Sequence, residues 1–119
     1  MKEENTENSA LTIALSGNWN HIRVGRKVIH ALGDPSCICL RVNRTMDSIA
    51  LLPCTSKDPM SYRVPDGFYT DPKVMFRIYC KEFVKDFLRI NGLNPNATFI
   101  MTGSVSSQKK AILFSVPDT

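Results

Sequence analysis

The stretches 22–53 and 76–117 follow one plan in the same order, and this internal duplication limits what the chain can fold into more than any other feature. Each opens with an arginine between apolar residues, Ile22-Arg23-Val24 and Phe76-Arg77-Ile78, an alternation that reads as a short strand. A lysine-bearing helical pattern follows, Lys27-Val28-Ile29-His30-Ala31-Leu32 in the first copy and Lys81-Glu82-Phe83-Val84-Lys85-Asp86-Phe87-Leu88 in the second. Both patterns stop at glycine. The stops are Gly33-Asp34-Pro35 and Gly92-Leu93-Asn94-Pro95, glycine supplying the left-handed cap and proline preventing continuation. Two strand signals come next, Cys37 to Val42 with Ser48 to Leu52 and Thr98 to Met101 with Ala111 to Val116, each pair split by a polar turn. A strand-helix-strand-strand unit of this size cannot bury both faces of its few strands. Two copies in one chain are therefore expected to share a core around a pseudo-twofold axis.

Ahead of the first copy, Leu11, Ile13 and Leu15 alternate with Thr12, Ala14 and Ser16, a half-buried strand that ends at the turn signal Ser16-Gly17-Asn18. Residues 1–9 are polar and acidic without periodicity and read as a disordered tail. Between the copies Pro53, Pro59, Pro65, Pro72 and Gly67 break any pattern. Tyr62-Arg63-Val64 and Phe68-Tyr69 within that stretch predict that part of it packs as a short strand or covers an edge. The organisation is one domain over 10–119, with repeat 1 at about 10–54, a linker at 55–74 and repeat 2 at about 75–117. The best amphipathic helix runs from about Lys81 to Asn91, with Phe83, Val84, Phe87, Leu88 and Ile90 on its apolar side.

A chain of 119 residues with 43% hydrophobic content suits one globular core. No apolar run nears the ~20 residues needed to cross a bilayer. The opening Met1-Lys2-Glu3-Glu4 also lacks the layout of an export signal, so a cytoplasmic protein without membrane association is expected. Cys37, Cys39, Cys54 and Cys80 show neither C-x-x-C spacing nor the density of a secreted disulfide scaffold. They read as small buried hydrophobes, with Cys37 and Cys39 on one strand face. No metal or other cofactor is expected, since His21 and His30 stand at no ligand spacing.

The formal charge is +4, but the first nine residues hold one lysine and three glutamates, which leaves fourteen basic and eight acidic groups in 10–119, net +6. A basic folded part favours an anionic partner, nucleic acid foremost. G-x-S-x-G, glycine-rich phosphate loops and H-E-x-x-H are absent. Asp34, Asp47, Asp58, Asp66 and Asp71 stand at turns, where capping of the backbone accounts for them, so no catalytic residue is expected.

The order of strand, basic turn, short helix ending at Leu-Gly and hairpin resembles the swapped-hairpin family of AbrB-like and SpoVT-like regulators and their MazE-type antitoxin relatives. The resemblance rests on Ile22-Arg23-Val24, Val28-Ile29, Leu32-Gly33, Ile38-Cys39-Leu40 and Asp47-Ser48-Ile49-Ala50-Leu51. It covers about 20–54 well and 74–117 less closely. In that family two subunits interlock their hairpins into a DNA-binding barrel. The resemblance thus implies an α+β pseudodimer in one chain: two strand-helix-strand-strand repeats forming a small swapped-hairpin β-barrel with two short helices. Where the family opens its helix with proline and carries paired arginines, this chain has Gly25-Arg26-Lys27 and Ile29-His30, so the likeness bears on the fold more than on DNA.

Carried over position by position, the resemblance places the nucleic-acid or partner-binding groups at Asn18, Trp19, Asn20, His21, Arg23, Arg26 and Lys27 in the first copy and at Lys73, Arg77 and Lys81 in the second. Arginine can bridge a phosphate or guanine O6 and N7, and asparagine can pair with adenine. Arg23 and Arg77 read equally well as outward, solvated edge charges. Trp19 is either a core anchor or a contact residue that stacks on a base or fills a partner's pocket. Arg41, Asn43, Arg44, Lys109 and Lys110 mark the hairpin tips, where charge keeps a turn soluble or extends a phosphate track. The expected function is a non-enzymatic, AbrB-like regulator of transcription that binds double-stranded DNA, possible as a homodimer. The alternatives are a phage or mobile-element inhibitor of the anti-CRISPR type that binds a host protein such as a CRISPR nuclease, and an antitoxin.

Overall fold

Among the described residues eight strands and two helices form, most of them where the alternation and the glycine stops place them. In chain order they are β1 (Leu11–Ser16), β2 (His21–Val24), α1 (Arg26–Ala31), β3 (Cys37–Val42), β4 (Ser48–Pro53), β5 (Ser61–Arg63), β6 (Phe76–Tyr79), α2 (Lys81–Ile90), β7 (Thr98–Ser106) and β8 (Ala111–Ser115). The computed structural model describes residues 10–55, 57–58, 61–106 and 110–116. The tail at 1–9, and Lys109 of the last hairpin, lie outside the described residues.

The strands form one sheet in the order β5-β3-β4-β8-β7-β1-β2-β6, with every neighbouring pair antiparallel. The sheet curls into a nearly closed barrel whose seam lies between β5 and β6. The molecule is mostly β, with helices of six and ten residues. Among the described residues no helix is long and apolar enough to cross a membrane.

Alternation decides which side chains enter the barrel. Ile13, Leu15, Ile22, Val24, Ile38, Leu40, Ile49, Leu51, Phe76, Ile78, Met101, Ile112 and Phe114 are buried in one continuous core. The helices add Val28, Ile29, Val84, Phe87 and Leu88 to it. Each helix ends as its glycine dictates: Gly33 and Gly92 take φ of +89° and +71°, and the N–H groups of Asp34 and Leu93 return to the carbonyls of Ile29 (3.1 Å) and Leu88 (2.8 Å).

Two details depart from the sequence reading, and one expectation about the linker holds. Ile90 is 57% exposed, because it falls on the flank of the α2 stripe at the last residue of the helix. β7 does not stop at Met101 but continues to Ser106, since Gly103 to Ser106 pair with Phe114 to Ala111. Gly103 permits this by receiving the Phe114 ring: a Cβ there would stand 2.6 Å from it. The linker does supply a strand, β5, which pairs with β3, and it also sends Val64 and Phe68 into the core.

Candidate functional site

The outer face of β7, β1, β2 and β6 carries the greatest concentration of the predicted binding groups. Ladder register sets two rows across these strands. One runs Thr98, Ser16, His21, Tyr79, and the next Ile100, Ala14, Arg23, Arg77. Ile22, Val24, Phe76 and Ile78 point inward from β2 and β6, so Arg23 and Arg77 must point outward, directly opposite each other. Side chains in that relation start about 5 Å apart at Cβ. Both arginines are exposed, and among the described residues neither has a hydrogen-bond or ion-pair partner. Arg23 is not an edge charge: β2 lies between β1 and β6.

Two aromatic side chains border the pair. Trp19, on the β1–β2 turn, is 68% exposed, and Tyr79 is 69% exposed. His21 packs edge-on against Tyr79, with ring centroids 5.3 Å apart. Trp19, His21, Arg23, Arg77 and Tyr79, with the hydroxyls of Ser16 and Thr98, line an open cavity of about 380 Å³. The turn is held by Ser16 Oγ–H donating to Asn18 Oδ1 (2.8 Å) and by the Gly17 N–H donating to the Ala97 carbonyl (2.9 Å). Asn20 takes φ of 61°, a conformation asparagine tolerates better than most residues. Its Oδ1 and the His21 Nδ1 are buried without a hydrogen-bond partner among the described residues.

Burial, then the Arg77 guanidinium and that of Arg23, push the His21 pKa below its ordinary 6.5. A depressed histidine pKa means that the free protein holds His21 neutral near pH 7 and loses stability as pH falls through that lowered pKa. An anion bound on the two arginines cancels their repulsion and draws a proton onto the imidazole. Binding of a polyanion is therefore expected to tighten as pH falls from about 7.5 to about 6, and His21→Ala to flatten that dependence, measured by polarisation at constant ionic strength.

The remaining predicted residues divide. Asn18 is on the same turn. Lys81 opens α2 beyond the Tyr79 end of the arginine pair, and Lys27 and Lys73 are exposed near its other end, beyond Val24 and before Phe76. Arg26 is occupied elsewhere. Its guanidinium stacks 4.0 Å over the Phe68 ring and donates to the carbonyls of Phe68 and Val74, the latter at 2.7 Å, which clasps the linker against the start of α1. Arg26→Ala is expected to lower unfolding free energy by about 2 kcal/mol while leaving the salt dependence of any polyanion binding unchanged, a pair of outcomes read by chemical denaturation and polarisation.

Sequence reasoning missed Tyr79, Ser16 and Thr98. Tyr79 was within reach, since extending Phe76-Arg77-Ile78 by one residue puts it on the arginine face. Thr98 joins the site only through the non-local pairing of β1 with β7, whereas Ser16 is set opposite His21 by the β1–β2 hairpin. Comparison with known protein families, with curated proteins and with solved structures finds no match.

Proposed function

We propose that this chain is a small DNA-binding module of AbrB-like, swapped-hairpin design, two interlocked copies of the strand-helix-strand-strand plan in one polypeptide, acting without catalysis as a cytoplasmic regulator of transcription. The single observation that carries the binding reading is the Arg23–Arg77 pair. Like charges directly opposite on a ladder destabilise a sheet by some 0.2–1 kcal/mol, and here no acidic partner among the described residues relieves them. A polyanion laid over this face turns that repulsion into attraction, with Lys27 and Lys73 at one end and Lys81 at the other extending the track.

Support for the interlocked design comes from the strand pairings. Exchanging β1, β2, β3 and β4 for β5, β6, β7 and β8 converts each observed pairing into an observed pairing, β2–β6 and β4–β8 into themselves, with one exception. That exception, β1–β2, becomes β5–β6, which is the seam where the barrel stays open. Arg23 opposite Arg77 maps onto itself under the exchange, so the pair sits where a twofold axis would pass. A binding surface centred on such an axis suits duplex DNA, whose backbone has its own local dyad.

The test is polarisation of a fluorescent duplex of mixed sequence at a series of salt concentrations. Binding at low salt that weakens by one or more decades toward physiological salt is the expected result, and no binding at low salt removes the proposal. A second reading, an inhibitor that docks on a host protein such as a nuclease, is favoured by one feature, the exposed Trp19 and Tyr79 beside two arginines, the residue types that dominate protein hot spots. A stoichiometric protein partner retained from a bacterial lysate after nuclease treatment, together with no duplex binding, selects that reading.

A further inference from the structure

On the outer face of β3 a second group of side chains converges that the arginine face does not use. In β3 the core takes Ile38 and Leu40, so Cys37 and Cys39 lie on the outer face, yet they are only 5% and 2% exposed. What covers them is the segment leaving β4. Extending the β3–β4 ladder one step puts Cys54 opposite Cys37, and the Cys54 N–H donates to the Cys37 carbonyl at 3.1 Å. The chain then turns back: the Asp58 N–H donates to the Thr55 carbonyl, and the Asp58 carboxylate accepts the Thr55 N–H, both at 3.1 Å. The result is that the sulfurs of Cys39 and Cys54 and a carboxylate oxygen of Asp58 all lie within 4.8 Å of one another.

We propose that Cys39, Cys54 and Asp58 bind one zinc ion. Tetrahedral zinc with Zn–S bonds near 2.3 Å and Zn–O bonds near 2.1 Å spaces its ligand atoms by roughly 3.5–3.8 Å, which the observed cluster reaches with small side-chain rotations. The donor set selects the metal: thiolates favour zinc over magnesium or calcium, which require oxygen ligands. The Thr55 N–H bond already orients the Asp58 carboxylate, the outer support that such ligands commonly have. On binding, each coordinating thiol gives up its proton to solvent, so the ion is held by thiolates and a carboxylate.

The position gives the ion a structural task. β5 has three residues and, among the described residues, pairs only with β3, with Ser61 beside Cys39, and it lies at the open seam of the barrel. An ion that ties β3 to the β4–β5 connection anchors this short edge strand, which a hydrophobic contact alone would hold weakly.

The test uses the full-length chain purified under reducing conditions without chelator. Elemental analysis is expected to find close to one zinc per chain. Cobalt added after zinc removal is expected to produce thiolate-to-cobalt charge-transfer absorption with the intense visible bands of a tetrahedral site. Asp58→Asn and Cys54→Ser should each lower zinc content severalfold, whereas Cys80→Ser, at a thiol outside the cluster, should leave it unchanged. Because Cys54→Ser could prevent folding, circular dichroism is recorded for each variant, and Asp58→Asn, at a turn, serves as the folded comparison. Zinc below one tenth per chain with no cobalt–thiolate absorption would overturn the proposal, as would zinc content unaffected by Asp58→Asn and Cys54→Ser, or a Cys39–Cys54 disulfide in the reduced preparation.

Discussion

Replacing both Arg23 and Arg77 by alanine is expected, on the proposed DNA-binding reading, to weaken duplex binding by roughly two orders of magnitude at 0.1 M salt and to lower the slope of log affinity against log salt by about 1.8, since each lost phosphate contact removes about 0.9. The same double variant should be at least as stable as the parent. Its two side chains stand opposite each other on neighbouring strands with no acidic partner among the described residues, so truncating them relieves a repulsion of some 0.2–1 kcal/mol. This opposition of effects, weaker binding with equal or higher stability, distinguishes a binding pair from a structural one. Single variants add a further check: if the arginines flank a true dyad, Arg23→Ala and Arg77→Ala should cost similar amounts. Unchanged affinity and slope in the double variant would show that the arginine face is not the one DNA meets.

Gly17→Ala is expected to be the most damaging single methyl group that can be added to this chain. A Cβ at Gly17 would lie 2.0 Å from the Pro95 carbonyl oxygen, 2.6 Å from its carbon and 3.1 Å from Leu88 Cδ1. The obstacle is backbone, which cannot rotate away as a side chain can, and moving it breaks the Gly17–Ala97 hydrogen bond. Overpacking of this kind costs about 3 kcal/mol or more, against a total stability of about 5–15 kcal/mol for a domain. The melting temperature should fall by about 10 °C or more, and DNA binding should weaken as well, because the displaced turn carries Trp19. Gly33→Ala makes the natural comparison. Nothing lies within 4 Å of its would-be Cβ, and only the φ of +89° resists it, so about 1 kcal/mol is expected. Thermal melts of the two variants that agreed within error would refute the close approach at Gly17.

Local chemistry was enough to locate most elements. Leu11 to Ser16 alternate because one face is buried and one is not. The Phe83, Val84, Phe87 and Leu88 stripe forms a helix because those residues share a face at helical spacing. Gly33 and Gly92 end the helices because they adopt positive φ at little cost. The site was legible in part for the same reason: Arg23 and Arg77 face outward as soon as their flanking residues face inward. Other features had no local signal. Nothing near Arg26 in the chain shows that its guanidinium is spent on carbonyls more than forty residues away. Nothing in the spacing of Cys39, Cys54 and Asp58 shows that a ladder and a turn bring their donor atoms together.

By itself, then, the amino-acid order determined where most strands and helices fall, the position of each helix stop, the inward and outward faces of the strands and the basic character of the folded part, all of which depend on neighbours within a few residues. Only the tertiary structure decided that β2 meets β6 so that two arginines stand face to face, that β7 runs on to Ser106 beside β8, that Trp19 and Tyr79 stay open beside the arginines, and that Cys39, Cys54 and Asp58 converge at β3. These depend on which strands pair and in what register, a choice made by burying one shared core across distant segments, and no local pattern carries that information.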